Sequence, residues 1–439
     1  MLSLGEFGAM WVAGAILLGS YFLIFTEKLH RTYAALAGAV LMVGIGGWLG
    51  FYGQEQALLA IDSNTILLLM GMMLLIALLR HTGLFEYMAI RLAKASGGSP
   101  VRLLVYLCLA VSVLSTILDN VTTVIIFAPL TVLVTRMLKL NPVPFLISEA
   151  MLSNIGGAAT LVGDPPNIII GSAAGIDFST FLINMAPLVI PPWLGTMALL
   201  LIFFRKDLRP GNAEDLIIDL DERAAIKDPR LLRRMLGVMA VVIALFFTHH
   251  QFHFYPSFVA LIGLALALIV VRPHADKLVE EVDWSILLFF ASLFVIVGGV
   301  EATGLLDLIG ERLAEAARDP ALMLGTAIAL MWIAAFVSAI IDNIPFTVTM
   351  IPIVSALGAE GIDVYPLWWA LAIGVALGGN GTHIGATANI IVVSEAEKSG
   401  LPDARISPLL WLRTGFPVVV AGLILSSATF AAIYLVKNQ

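Results

Sequence analysis

Apolar stretches of about 15 to 25 residues recur from end to end of this chain, and a helix of roughly 20 such residues crosses a ~30 Å hydrocarbon layer. The period-2 alternation of a transmembrane barrel does not accompany them, so the expected spans are helices. Of the 439 residues 60% are hydrophobic and only 13% charged, outside the range of ordinary water-soluble domains. In lipid, every backbone N–H and C=O must be satisfied by protein or by a water-filled cavity. Places where the apolar pattern breaks are therefore the places to look for function.

Two apolar blocks, 101–138 and 321–357, are too long for a single crossing, and each carries an acidic pair near its middle: Asp119-Asn120 and Asp342-Asn343. Each block is expected to be a re-entrant helical hairpin that enters and leaves on one side. Positive-inside counting supports this. With both blocks treated as hairpins and the N-terminus outside, all 24 Lys and Arg except Arg312, Arg318 and Lys437 fall on the cytoplasmic side. Both termini are then outside, and the polar stretch 205–233, with Pro210, Gly211 and Pro229, is a cytoplasmic linker. The first 27 residues contain no Lys or Arg, so the segment from Trp11 to Phe25 is expected to be a retained span rather than a secretory leader. Segments 84–95 and 304–317 mix apolar and charged residues at helical spacing and are expected to lie at the membrane surface.

The second half repeats the first at a displacement of about 222 residues. Asp62 falls on Asp283, Asp119-Asn120 with Pro129 on Asp342-Asn343 with Pro352, and the run Gly156 to Gly163 with Asn167 on Gly378 to Gly385 with Asn389. The expected fold is an all-α polytopic membrane protein of two inverted repeats, 1–204 and 234–439, joined by 205–233. Each repeat has five crossings, one of them a broken helix, plus one hairpin. Repeats of this kind place a substrate site near the bilayer midplane, between discontinuous helices.

A carboxylate near the bilayer centre costs about 2.5 to 3.5 kcal/mol on insertion scales, so Asp119 and Asp342 are expected to face a cavity or an ion and to couple proton movement to transport; capping of a hairpin helix is the plainer role. Asn120, Asn343, Thr122, Thr123 and Thr347 offer hard oxygen atoms beside them, although threonines inside a helix also bond back to the preceding turn. The glycine runs and Asp164-Pro165-Pro166-Asn167 oppose a continuous helix, and small-residue spacing there also permits close helix packing. Gly157, Thr160, Asp164, Asn167, Asn380, Thr382, His383 and Asn389 complete the expected binding set. Asp164 and His383 break the symmetry, their counterparts being Ala386 and Leu161. A proton relay and a satisfied polar group are both open readings of His383. Cys108, the one cysteine, excludes a disulfide framework and a multi-thiolate site within the chain. No cofactor, metal centre or nucleic-acid partner is expected. His-Glu-x-x-His and Gly-x-x-x-x-Gly-Lys patterns are absent, so a transporter is expected rather than an enzyme.

The segment Asn154 to Ile168, the two Asp-Asn tips and the segment Gly379 to Asn389 resemble the ion transporter superfamily, and within it the ArsB/P-protein permease branch. The resemblance covers nearly the whole chain. It implies a multi-pass protein of the cell inner membrane, with a scaffold region for homodimerisation and a transport region that moves as an elevator. It leaves open an association with a cytoplasmic ATPase subunit. Dicarboxylate carriers of the superfamily have Ser-Asn-Thr at the tips, where this chain has Asp119-Asn120-Val121 and Asp342-Asn343-Ile344. The first expectation is therefore proton-coupled export of arsenite or antimonite, recognised as a neutral trihydroxide. The alternatives are a Na+/H+ antiporter and an anion or carboxylate transporter of the same superfamily.

Overall fold

The computed structural model describes residues 6–26, 29–209, 222–306, 308, 315, 317–319, 321–340, 342–400 and 405–437. Among these residues the chain is helical, with no strand. The first half runs through helices Glu6–Phe25, Arg31–Leu49, the short Gln54–Ala60, Ser63–Arg80 and Leu84–Ser96. It continues through Pro100–Leu118, Asn120–Met137, Val143–Gly157, Pro165–Ala174 and Phe178–Phe203. The second half repeats that order: Pro229–Thr248, Pro256–Val271, the short Ala275–Glu280, Trp284–Glu301, Met323–Ile340, Asn343–Ala359, Tyr365–Gly378, Thr387–Lys398 and Pro408–Lys437. The element matching Leu84–Ser96 falls in 304–317, most of which lies outside the described residues. Only 222–225, a single 3-10 turn, and the neighbouring loop residues represent the linker's end, because the next span already begins at Pro229 rather than 234.

Among the described residues, ten helices are long and apolar enough to cross a membrane. This set differs from the ten crossings expected above: it includes Pro100–Leu118, Asn120–Met137 and Met323–Ile340, which fall in the two blocks expected to be hairpins. It omits Pro256–Val271 and both broken spans, whose separate pieces are too short. Length alone does not distinguish an arm that turns back from a helix that passes through.

Packing against a common neighbour does make that distinction. Ser112 on the way in and Thr131 on the way out both hydrogen-bond to Val143–Gly157, at Leu152 O (2.9 Å) and Glu149 Oε1 (2.5 Å). The chain thus reverses at Asp119, and 101–138 is a hairpin.

Equivalent helices pair in equivalent ways. Arg31–Leu49 runs alongside Trp284–Glu301, with the Thr32 hydroxyl donating to Ser285 O at 3.0 Å. Ser63–Arg80 runs alongside Pro256–Val271, with Asn64 Oδ1 accepting from Ser257 N at 3.1 Å. Ser63–Arg80 and Trp284–Glu301, which are themselves equivalent, run in opposite directions. Arg80 at the end of one pairs with Glu281 just before the other, while Gly298 near the end of the second adjoins Ala60 just before the first. Both helices are N-capped by the repeated aspartate: Asp62 accepts from Asn64 N and Asp283 from Ile286 N.

Some glycines of the repeat serve close packing. A Cβ on Gly374 would lie 2.4 Å from Met331 O and one on Gly378 would lie 2.3 Å from Ala335 O, so this pair, four residues apart, seats Tyr365–Gly378 directly on the backbone of the hairpin arm Met323–Ile340. Gly44 has nothing within 4 Å of the corresponding position. Gly374→Leu is therefore expected to destabilise the protein by about 2 kcal/mol or more, with Gly44→Leu near neutral, measured by thermal unfolding in detergent. Equal melting temperatures for the two variants would contradict this packing.

Candidate functional site

The site is assembled where both hairpin tips meet both breaks. At the first tip Asp119 has φ +72 and ψ 152, a region nearly reserved for glycine, which costs a non-glycine residue about 1 to 3 kcal/mol. Capping offsets this strain: one carboxylate oxygen accepts from Thr122 N (2.8 Å) and the other from the Thr122 hydroxyl (2.7 Å). Asp342 caps the second tip through Ile344 N at 3.4 Å.

Asp164 stands just before Pro165–Ala174 but makes no cap bond. The reason is covalent. Pro165 and Pro166 have no N–H to donate, and Asn167 N bonds the Asp164 carbonyl instead, at 2.9 Å. The carboxylate, 0% exposed, turns toward the tips. Its Oδ1 accepts from Asn120 Nδ2 at 3.2 Å and from Asn343 Nδ2 at 3.5 Å, so one oxygen joins the two hairpins. Asp119 and Asp342 both lie within electrostatic range of it.

Asn154, 1% exposed, ties the two halves at the same depth. Its Nδ2 donates to Asn380 Oδ1 (2.9 Å) and Asn389 Oδ1 (3.0 Å), and its own Oδ1 accepts from Asn120 (3.1 Å). The breaks are closed by matching bonds. Asn167 Nδ2 donates to Gly157 O (3.2 Å) and Thr160 O (2.9 Å), as Asn389 Nδ2 does to Gly379 O (2.7 Å) and Thr382 O (2.9 Å). The Thr160 and Thr382 hydroxyls donate to Thr116 O and Ala339 O, both at 2.6 Å, and so pin each loop to its hairpin.

Three buried oxygens in this region receive no hydrogen bond from the described residues: Asn120 Oδ1, Asn167 Oδ1 and Asp164 Oδ2. An unsatisfied buried acceptor costs about 1 to 3 kcal/mol, more for a charged group. A carboxylate oxygen and two amide carbonyl oxygens are the donor set that a hard cation or a proton uses.

Two adjoining cavities lie beside the tips. One, of about 100 Å3, is lined by Asp119, Thr122, Arg80, Glu281 and Pro165 among others; the second, of about 410 Å3, by Asp342, His30 and several isoleucines. Arg31, Asp283 and Thr387 line both. Arg31 Nη1 donates to the Thr387 hydroxyl at 2.6 Å and to Asp342 Oδ2 at 3.4 Å, and the guanidinium lies over Phe289, 5.4 Å from the ring centroid. A third cavity, of about 210 Å3, sits at the opposite ends of Ser63–Arg80 and Trp284–Glu301, lined by Asp62, Glu301 and Ser172.

The expected residues thus divide. Asp119, Asn120, Asp164, Asn167, Asn343, Asn380 and Asn389 converge, with Asp342 and Thr122 on the cavity walls. Thr123 and Thr347 donate to Asp119 O (2.6 Å) and Asn343 O (2.8 Å) and so complete their own helices. Gly157 contributes space, since a Cβ there would lie 2.3 Å from Gly163 O. His383 is half-buried, lines neither cavity beside the tips and has no hydrogen-bond partner among the described residues. Sequence reasoning missed Arg31, Asn154 and Thr387. A guanidinium at the start of an apolar span and polar side chains inside the two quoted motifs were the available signals.

Residues 21–374 match the citrate transporter family, CitMHS. The chain is 40% identical to the 46 kDa membrane protein of Mycobacterium leprae (strain TN) over 97% of its own length and 99% of that protein's. It is 32% identical to the human P protein over 93% of its length and 58% of that protein's. The Alcanivorax borkumensis YdaH transporter superposes over 92% of this chain and 98% of that one, with a TM-score of 0.57 at 14% identity, a likeness of fold alone. The chain belongs to the citrate transporter family and is a multi-pass secondary transporter of that family.

Proposed function

We propose that the chain is a cation-coupled secondary transporter in which Asp164, Asn120 and Asn167 hold the coupling cation, H+ or Na+, and the paired cavities at Arg31 hold the solute. The observation that carries this reading is the set of three unsatisfied, buried oxygens beside the first hairpin tip. Asp119 lines the adjoining cavity, so its carboxylate faces the solute beside that cation.

The charge of the cavities bears on the solute. Among the described residues, the carboxylates of Asp119, Asp283, Asp342 and Glu281 face the basic side chains of Arg31, Arg80 and His30 there. An excess of carboxylates disfavours a multiply charged anion and favours a small neutral solute rich in oxygen. Arsenite and antimonite as neutral trihydroxides meet that description, and Cys108, 0% exposed and lining neither cavity, leaves their recognition to oxygen and nitrogen groups. A carboxylate solute is the second reading, favoured by the family description and by Arg31. In a Na+/H+ antiporter the same three oxygens would hold the cargo itself.

The repeats 1–204 and 234–439 are proposed to be inverted, which is supported by the opposed directions of Ser63–Arg80 and Trp284–Glu301. The charge distribution supports termini outside, the linker 205–233 in the cytoplasm and the cavities at Arg31 and Arg80 open inward. An elevator movement, a homodimer and a cytoplasmic ATPase partner belong to the same reading.

In everted inner-membrane vesicles carrying the full chain, Asp164→Asn is expected to cut gradient-driven transport at least about tenfold, equivalent to ~1.4 kcal/mol of lost ion binding. Asp119→Asn is expected to reduce it in the same direction. Transport by Asp164→Asn at the unmodified rate would refute the cation site. In the same vesicles under an imposed pH gradient, arsenite and antimonite uptake should exceed that of citrate. Citrate uptake alone would assign the carboxylate reading, and Na+ movement without a co-solute the antiporter.

A further inference from the structure

The two halves bring equivalent side chains to the breaks, yet they leave unequal sites. In the first half Asn120 Oδ1, Asn167 Oδ1 and Asp164 Oδ2 are buried without a donor among the described residues. Asn389, the counterpart of Asn167, has its Oδ1 filled by Asn154 Nδ2 at 3.0 Å, and Asn380 Oδ1 is filled by the same amide at 2.9 Å. The residues that would restore symmetry are missing: Ala376 stands opposite Asn154 and Ala386 opposite Asp164.

Charge follows the same division. Asp342 faces the Arg31 guanidinium at 3.4 Å, whereas Asp119 pairs with no basic side chain among the described residues. Arg31 is held from three directions, by Asp342, by the Thr387 hydroxyl at 2.6 Å and by the face of Phe289. Thr387 begins the helix after the second break, as Pro165 begins the helix after the first. The guanidinium therefore stands among the second tip and the second break.

We infer that Arg31 is a tethered cation. It occupies the place beside Asp342 and Thr387 that a free ion would otherwise take, so the protein binds one free cation, in the first half, where a symmetric molecule would bind two. A guanidinium stays charged at all working pH values and, being covalently attached, is never released. A free cation must be dehydrated and rehydrated in every cycle. The inference rests on the coupling site proposed above and sets its stoichiometry.

The test counts cations bound per chain by the purified full-length protein in lipid nanodiscs, using radiolabelled Na+ and, in Na+-free buffer, protons taken up relative to Asp164→Asn. Gel filtration confirms that each variant is folded. The unmodified protein should bind one cation. Arg31→Gln should bind two, and adding Asp342→Asn to it should return the count to one. Arg31→Lys, which keeps the charge, should bind one. A single cation in Arg31→Gln, or two in the unmodified protein, overturns the tether while the loss of binding in Asp164→Asn still upholds the first-half site. Binding of neither Na+ nor H+ by the unmodified protein overturns the coupling site and the tether together.

Discussion

Proline carries no N–H, and two of them in succession leave the carboxylate of Asp164 without the backbone donors that an aspartate before a helix ordinarily caps. The consequence spreads through the centre of the molecule. Freed from its own helix, the carboxylate gathers Asn120 from one hairpin and Asn343 from the other. Asn154 crosses to the second break from the same level. The hairpins, both breaks and the two cavities are positioned relative to this cluster. A buried polar network of this kind is costly when partly satisfied, and three of its acceptors, beside the first tip, have no donor among the described residues.

Much of this was legible in the residues. Aspartates in the middle of apolar blocks marked both tips, and glycine runs followed by prolines or a repeated asparagine marked both breaks. What could not be read was which side of a helix turns inward and which neighbour it meets. Arg31 counted among cytoplasmic loop charges because it ends a polar stretch, yet its long side chain reaches Thr387 and Asp342. Thr123 and Thr347 were open to two readings, as ligands or as helix hydroxyls, and their hydroxyls donate to the carbonyl one turn back. The glycines served two ends: Gly157 gives the break its room, while Gly374 and Gly378 let two helix backbones touch.

Electrostatics unites the cavities with the cluster. Three aspartates, Asp119, Asp164 and Asp342, lie near one another in the hydrophobic depth of the protein, and each is treated differently. Asp119 is capped by Thr122, Asp342 faces a guanidinium, and Asp164 retains an oxygen with no donor among the described residues. Identical functional groups thereby acquire separate tasks from the donors around them, in keeping with the cost of an uncompensated carboxylate at this depth.

The division between the halves has a historical corollary. A half-length ancestor pairing with its own copy would present the same residues from both members, and every seat at the centre would occur twice. Asn154 opposite Ala376, and Asp164 opposite Ala386, are incompatible with such equality. With the Asn154 amide on one half and the carbonyls that it fills on the other, neither half can be replaced by a duplicate of its counterpart without losing those hydrogen bonds.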